Sequence, residues 1–306
     1  MAAQLLVIGS SNTDMVVKAD KLPAPGETVL GGTFLMNPGG KGANQAVAAA
    51  RLGGNVRFVA KVGRDVFGQQ AIDGFRREGI DTAYVRTDAD QPSGVALINV
   101  DARGENCITV APGANAHLQP AETDAALESV EADVLVLLQL EVPRPTVEYV
   151  IRQAAGRGQR VILNPAPAQA LSAGVFADLF LITPNETEAE GLTGVRVTDV
   201  ISAEQAARKL HELGVLNVII TLGAKGAYLH TDGSGQLIAA PPVSPVDTTA
   251  AGDCFNGALA VALAEGQALP EAVGFACRAA SVSVTRLGAQ ASMPTRDEVT
   301  PRATPA

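Results

Sequence analysis

Tryptophan is missing from the 306 residues, and only three cysteines and three histidines occur. Cys107, Cys254 and Cys277 lie far apart and form no C-x-x-C pair. That excludes a disulfide framework and points to a reducing compartment. His117, His211 and His230 are scattered, without H-E-x-x-H or Cys/His ligand spacing, which argues against a zinc site. No apolar run approaches the ~18–20 residues that span a bilayer. The opening MAAQLLVIGSSNTDMVV lacks a basic segment and soon turns polar, unlike a signal peptide, so a cytoplasmic chain with no membrane partner is expected. Positive charge is also scarce: 23 Lys and Arg against 32 Asp and Glu leave a net charge of −9. Duplex binding depends on clustered cations, so a nucleic-acid partner is not expected. A nucleotide is still allowed, because a few amides and one or two cations can hold phosphates. A G-x-S-x-G elbow, a Walker A loop and a G-x-G-x-x-G after the first strand are all absent, which removes three further classes of enzyme.

What remains is a rhythm of apolar strands and small-residue or amphipathic helices. QLLVIG (4–9), 56–62, VLVLLQL (134–140), RVILN (160–164), LFLIT (179–183) and VIIT (218–221) read as buried strands. Helices are predicted over 42–52, 67–78, 147–155, 203–213, 252–264 and 269–285. This alternation predicts an α/β fold with a central, mainly parallel sheet flanked by helices. Residues 12–37 and the hairpin-like 94–110, which turns at DARGEN, do not fit the rhythm and are predicted to form a small separate sheet. We read residues 1–306 as one domain, and only the closing TPRATPA lacks structural signals. In such sheets ligands bind at the carboxyl ends of the strands. The polar clusters SSNTD, LEVP, NPAPA, TPNETE and TLGAKG all fall there.

Two motifs carry chemistry. In DTTAAGDCFNG (247–257), Ala250, Ala251 and Gly252 open a helix whose backbone N–H groups an anion can approach without side-chain obstruction. Asp253 sits in that first turn. A carboxylate beside an anion hole can take a hydroxyl proton while the amides stabilise a transferring phosphoryl group. Equally, it could be no more than a favourable acid at a helix start. In NPGGKGANQ (37–45) consecutive glycines allow close backbone approach, and Lys41 and Asn44 supply donors suited to sugar hydroxyls. Asp14 and Glu141 follow strands at the expected cleft, where each could accept hydroxyl hydrogen bonds or merely cap a helix. Asn185 and Glu188 open an acidic helix and could hold hydrated Mg²⁺ or simply cap that helix. The loop 221–226 reads as a hairpin turn or as a floor for a nucleotide.

Taken in order, these segments resemble a known family. GGKGANQAVAAARLG (39–53) and DTTAAGDCFNGAL (247–259) are similar to the N- and C-terminal signatures of the PfkB-type carbohydrate kinases, the ribokinase family. QLE (139–141), NPAP (164–167), TPNETEAE (183–190) and TRLGAQASMP (285–294) extend the resemblance from Leu5 to Pro294. Within the family, GGKGANQ looks more like the ribokinases than the fructokinases or adenosine kinases. The resemblance implies ATP-dependent phosphorylation of a primary hydroxyl, with D-ribose the first candidate. It also implies a small sheet that acts as a lid and as the contact of a homodimer. Asn12, Asp14, Gly40, Lys41, Asn44 and Glu141 would contact sugar, and Asp253 would be the base beside an anion hole at Ala250–Asp253. Asn185, Thr221, Gly223 and Gly226 would contact ATP, with Asn185 and Glu188 near Mg²⁺. Asp247, Thr249, Ser283, Arg286, Gly288 and Ser292 match the positions that hold a monovalent cation, usually K⁺. Near the adenine, where relatives often carry His or Asn, this chain has Cys277. The rival expectations are a kinase for 2-deoxyribose, another pentose or a nucleoside, and a catalytically silent sugar-binding regulator.

Overall fold

The computed structural model describes residues 4–300. Of the closing segment read as unstructured, all but Thr300 lies outside the described residues. The chain begins with β1 (Gln4–Ile8), β2 (Asn12–Lys18), β3 (Thr33–Gly39), α1 (Lys41–Arg51), β4 (Asn55–Gly63), α2 (Val66–Arg77) and β5 (Asp81–Asp88). It continues through β6 (Gly94–Val100), β7 (Asn106–Ala111), α3 (Ala121–Glu128), β8 (Leu135–Leu138), α4 (Arg144–Gly156), β9 (Arg160–Leu163) and β10 (Leu181–Ile182). It ends with α5 (Glu186–Thr193), α6 (Val200–Glu212), β11 (Asn217–Thr221), β12 (Ala227–Thr231), β13 (Ser234–Ile238), α7 (Ala251–Ala264), α8 (Leu269–Ser283) and α9 (Arg296–Val299).

Nine strands form one sheet in the order β13-β12-β11-β10-β9-β8-β1-β4-β5. All neighbours pair in parallel except β12, which is antiparallel to both β11 and β13. The two faces bury separate cores, as a doubly covered sheet requires. Leu5 and Val7 point to α1, α7 and α8, while Leu6 and Ile8 point to the side of α3–α6. Chain direction through the sheet reverses around β1, which lies between β8 and β4. The loops after β1 and β8 therefore flank the crevice where open α/β sheets bind ligands.

Five elements escape the sequence pattern: β5, α3, β12, β13 and the one-turn α9. The edge strand β5 is nowhere fully buried and so lacks an apolar run. α3 covers little core beyond Ala126 and Leu127. The β12–β13 hairpin turns at Asp232-Gly233, both at positive φ (50° and 72°), a turn signal that could have revealed it.

The small sheet forms as expected, in the order β3-β2-β6-β7. Its register aligns Asp14 with Asn37 and Ala96, and Met15 with Met36 and Leu97. Successive residues point to opposite faces, so Asp14 lies on one face and the Met15–Leu97 row on the other. Apolar side chains on this sheet remain open to solvent, with Phe34 60% exposed and Leu97 49%.

Candidate active site

The site starts at Gly40, which follows β3 at φ 89° and caps α1 without a side chain. A Cβ there would lie 2.7 Å from the Asn12 nitrogen, so glycine lets the chain turn against β2. Gly42 approaches β1 in the same way: a Cβ would lie 2.6 Å from the Gly9 carbonyl carbon. With no side-chain cap on its own segment, the start of α1 is capped from across the fold. The Lys41 N–H donates to Glu141 Oε2 (2.9 Å), and the Ser10 hydroxyl donates to the same oxygen (2.6 Å). Lys41 Nζ stands 3.9 Å from Glu141 Oε1. Glu141 thus caps α1, one of the two readings the sequence allowed.

At the other end of the crevice, α7 begins at Ala250, a non-glycine in the left-handed region (φ 58°). Such a conformation costs roughly 1–2 kcal/mol and marks a backbone held for a purpose. The first helical hydrogen bond runs from the Cys254 N–H to the Ala250 carbonyl. The Gly252 and Asp253 N–H groups therefore have no helical acceptor. The Ala251 N–H is already held by the Thr248 carbonyl at 3.2 Å.

Asp253 is only 6% exposed. Its Oδ2 accepts from Asn44 Nδ2 and its Oδ1 from Gln45 Nε2, both at 3.0 Å. Burial raises its pKa above the usual carboxylate range, opposed by Lys41 and by these two amides. Burial also lifts Asp14, to about 6, helped by the charges of Glu141 and Asp253. Lys41 is partly buried, yet the carboxylates of Asp253, Glu141, Glu188 and Asp14 hold it above its ordinary value. One lysine thus serves four acids around a single space.

A cavity of about 190 Å³ gathers Lys41, Asn164, Ala166, Thr183, Asn185, Glu188, Thr221, Thr248, Asn256 and the Ala250–Asp253 loop. It brings the expected base, anion-holding amides, lysine and TPNE segment together. Asn185 and Glu188 form a reciprocal capping box on α5. Each uses one side-chain oxygen for the cap (Asn185 Oδ1 and Glu188 Oε2). Burial raises the Glu188 pKa. Asn185 also bridges to Thr221, tying the two loops side by side. Thr221–Gly226 is the β11–β12 turn, so that expectation holds, and Gly223 and Gly226 are not among the residues lining the cavity. Cys277 also lies outside it, 4% exposed, with its sulfur 4.0 Å from the Ile238 carbonyl and its thiol pushed up to about 11 by burial. Asn12 is buried and its Oδ1 accepts from Asn115 Nδ2 at 2.8 Å.

Of the six positions expected to hold a monovalent cation, Asp247, Thr249 and Gly288 are joined directly by hydrogen bonds. Asp247 Oδ1 accepts from the Thr249 N–H and Oδ2 from the Gly288 N–H, both at 2.9 Å. The N–H groups of Val246 and Asp247 donate to the Val284 carbonyl at the end of α8. Ser283, Arg286 and Gly288 thereby lie beside the loop that leads into Ala250, and Ser292 follows in a short 3₁₀ turn.

The sequence reading missed Ser10, Gln45, Asn115, Gln139, Asn164, Thr183 and Asn256, all buried polar residues of the crevice. Most sit inside apolar or small-residue runs, where an isolated polar residue is itself the signal.

The chain belongs to the pfkB family of carbohydrate kinases. The family profile, "pfkB family carbohydrate kinase", matches residues 2–296. A ribokinase of Haemophilus influenzae is 45% identical over 298 residues, covering 97% of each chain. The crystal structure of a Thermotoga maritima ribokinase superposes with a TM-score of 0.89 at 42% identity, covering 98% of each chain. An Arabidopsis thaliana ribokinase solved with ribose and ATP superposes with a TM-score of 0.91 at 36% identity, again over 98% of each chain.

Proposed function

We propose that this protein transfers the γ-phosphoryl group of ATP to the 5-hydroxyl of D-ribose, giving D-ribose 5-phosphate and ADP. The observation that carries this reading is the meeting of buried Asp253, the free amides of the α7 start and Lys41 around one cavity. Ionised Asp253 takes the hydroxyl proton as the sugar oxygen attacks phosphorus. Lys41 and the Gly252 and Asp253 N–H groups face the charge that develops on the transferring group. Asn12, Asp14, Gly40, Asn44 and Glu141 form the sugar side, and Asn185 with the Thr221–Gly226 turn the nucleotide side. Buried Cys277 would then bound the adenine pocket by packing, with no hydrogen bond to offer.

Glu188 fits Mg²⁺ because its Oε1 is free of the cap that holds Oε2, and one carboxylate plus phosphates is a usual Mg²⁺ environment. When bound there, with Asn185 alongside, the metal would neutralise phosphate charge. A K⁺ ion beside Asp247, Thr249, Ser283, Arg286, Gly288 and Ser292 would stiffen the loop leading to Ala250. The whole described chain would act as one kinase domain, with the small sheet as a lid that excludes water and joins two copies into a homodimer.

The test is an ADP-release assay with Mg-ATP over D-ribose, 2-deoxyribose, fructose and adenosine, each in K⁺ or Na⁺. We expect preferred turnover of ribose, raised by K⁺. Preference for 2-deoxyribose would replace the substrate and keep the mechanism. No turnover with any sugar would leave a sugar-binding regulator.

A further inference from the structure

We infer that Gln45 is a positioning residue for the phosphoryl transfer: it fixes the Asp253 carboxylate from behind and reserves Oδ1, leaving Oδ2 as the atom that receives the substrate proton. The inference rests on Asp253 being the base.

Gln45 is fully buried in α1, so it cannot touch substrate itself. Its three hydrogen bonds use both protons and one lone pair of its amide. Nε2 donates to Asp253 Oδ1 (3.0 Å) and to Asn164 Oδ1 (2.9 Å), and Oε1 accepts from Gln139 Nε2 (2.6 Å). The orientation of every amide is dictated from the ends. An ionised Asp253 accepts only, so Gln45 must turn its NH₂ towards it, and its oxygen then requires the NH₂ of Gln139. At the far side Asn164 Nδ2 donates to the Thr183 carbonyl (3.3 Å), which also only accepts. The Thr183 hydroxyl donates to Asn256 Oδ1 (2.6 Å), and Asn256 Nδ2 donates to the Gly252 carbonyl (2.8 Å). A buried chain thus runs from Gln139, just after β8, through Gln45, Asn164, Thr183 and Asn256 back to the Gly252 carbonyl at the start of α7, with Asp253 held as a branch at Gln45.

The two oxygens of Asp253 differ in what holds them. Oδ1 faces Gln45, which has no freedom to leave. Oδ2 faces Asn44, whose own Oδ1 is buried without a partner. Asn44 Oδ1 can therefore accept from a sugar hydroxyl and hold it beside Oδ2, whereas every partner of the Gln45 amide lies inside the protein. Loss of the Gln45 donor would let the carboxylate rotate and would remove a hydrogen bond that favours its ionised form. The charged groups facing Asp253 are Lys41 on α1, Asp14 on β2, Glu141 after β8 and Glu188 on α5, and none of them changes in the variants below.

The experiment measures kcat and sugar KM from pH 5 to 9 for the intact enzyme, Gln45→Leu and Gln139→Leu, with thermal melting as the check on folding. Gln45→Leu is expected to lower kcat about 10- to 100-fold, the scale of a lost hydrogen bond to a charged group, with sugar KM changed by less than about threefold. Its acid limb moves to higher pH, because the base now holds its proton longer. If Gln45→Leu does not fold, Gln139→Leu carries the test, since it frees Gln45 Oε1 and should move kcat and the limb the same way by a smaller factor. A folded Gln45→Leu with normal kcat and an unmoved limb overturns the inference. So does a loss confined to KM, which would make Gln45 part of the sugar floor. Asp253→Ala separates the two readings: its expected loss is roughly 10²–10⁴-fold, and normal turnover in it would remove the base assignment itself.

Discussion

Asp14 shows how much a single side chain is asked to bear. It stands near two other carboxylates, and burial with their charge lifts it from the ordinary 3.8 to about 6. A carboxyl that holds its proton more tightly folded than unfolded destabilises the native state when ionised. The cost is present in full above about pH 6, shrinks as pH falls through that value, and is gone below 3.8. Asp14→Asn is therefore expected to stabilise the ligand-free protein at pH 8 by on the order of 1–2 kcal/mol, a few degrees of melting temperature, and by less at pH 5. The same variant should lose ribose affinity by tenfold or more, on the order of one charged hydrogen bond. Thermal melts at the two pH values, with and without ribose, check both halves. A gain that does not depend on pH would show that burial does not hold Asp14 protonated. On the proposed function, stability is given up at this residue to place a charged acceptor for a sugar hydroxyl there.

At the scale of elements, the turn between β3 and α1 decides where Lys41, Asn44 and Gln45 stand. α1 has no local side-chain cap, and its start is held by Glu141 and by the Ser10 carbonyl, which accepts from the Ala43 N–H at 2.8 Å. These bonds require the helix to touch the end of β1, which only a missing Cβ at Gly42 allows. Gly42→Ala would push backbone against backbone, so neither side can yield by a rotamer change. The expected outcome is a loss of about 1–3 kcal/mol in stability and a kcat/KM for ribose lower by roughly ten- to a hundredfold. Denaturation and steady-state kinetics measure the two. Full activity would mean that α1 can move without displacing Lys41 and Asn44.

For the molecule as a whole, the outstanding feature is a four-stranded sheet that is apolar on both faces and little covered by its own chain. Asp14 lies on one face, while Met15, Met36 and Leu97 form the opposite face. Exposed apolar surface of this kind is usually matched by a partner, and a second copy is the partner we propose. Light scattering should give twice the chain mass of 31.3 kDa. Leu97→Lys, away from the Asp14 face, should shift the population to monomers. A monomeric wild-type protein would leave the sheet acting as a lid alone.

The sequence alone determined the elements and the chemistry-bearing turns. Period and composition marked the buried strands and small-residue helices, because one stripe or face of each must leave water. Glycine-rich turns and acidic helix starts marked Lys41, Asn44, Asp253, Asn185 and Glu188, because backbone approach and anion binding demand those residue types locally. Tertiary structure decided the couplings. Nothing near residue 40 says that its helix is capped from residue 141, since such a cap needs two chain segments a hundred residues apart to meet. Nothing near Gln45, Gln139 or Asn164 says that they form one hydrogen-bonded chain to Asp253, because each amide's orientation is fixed only by acceptors that other elements bring. The edge strand β5 escaped for the converse reason: a strand that is never fully buried is free to be written in polar residues.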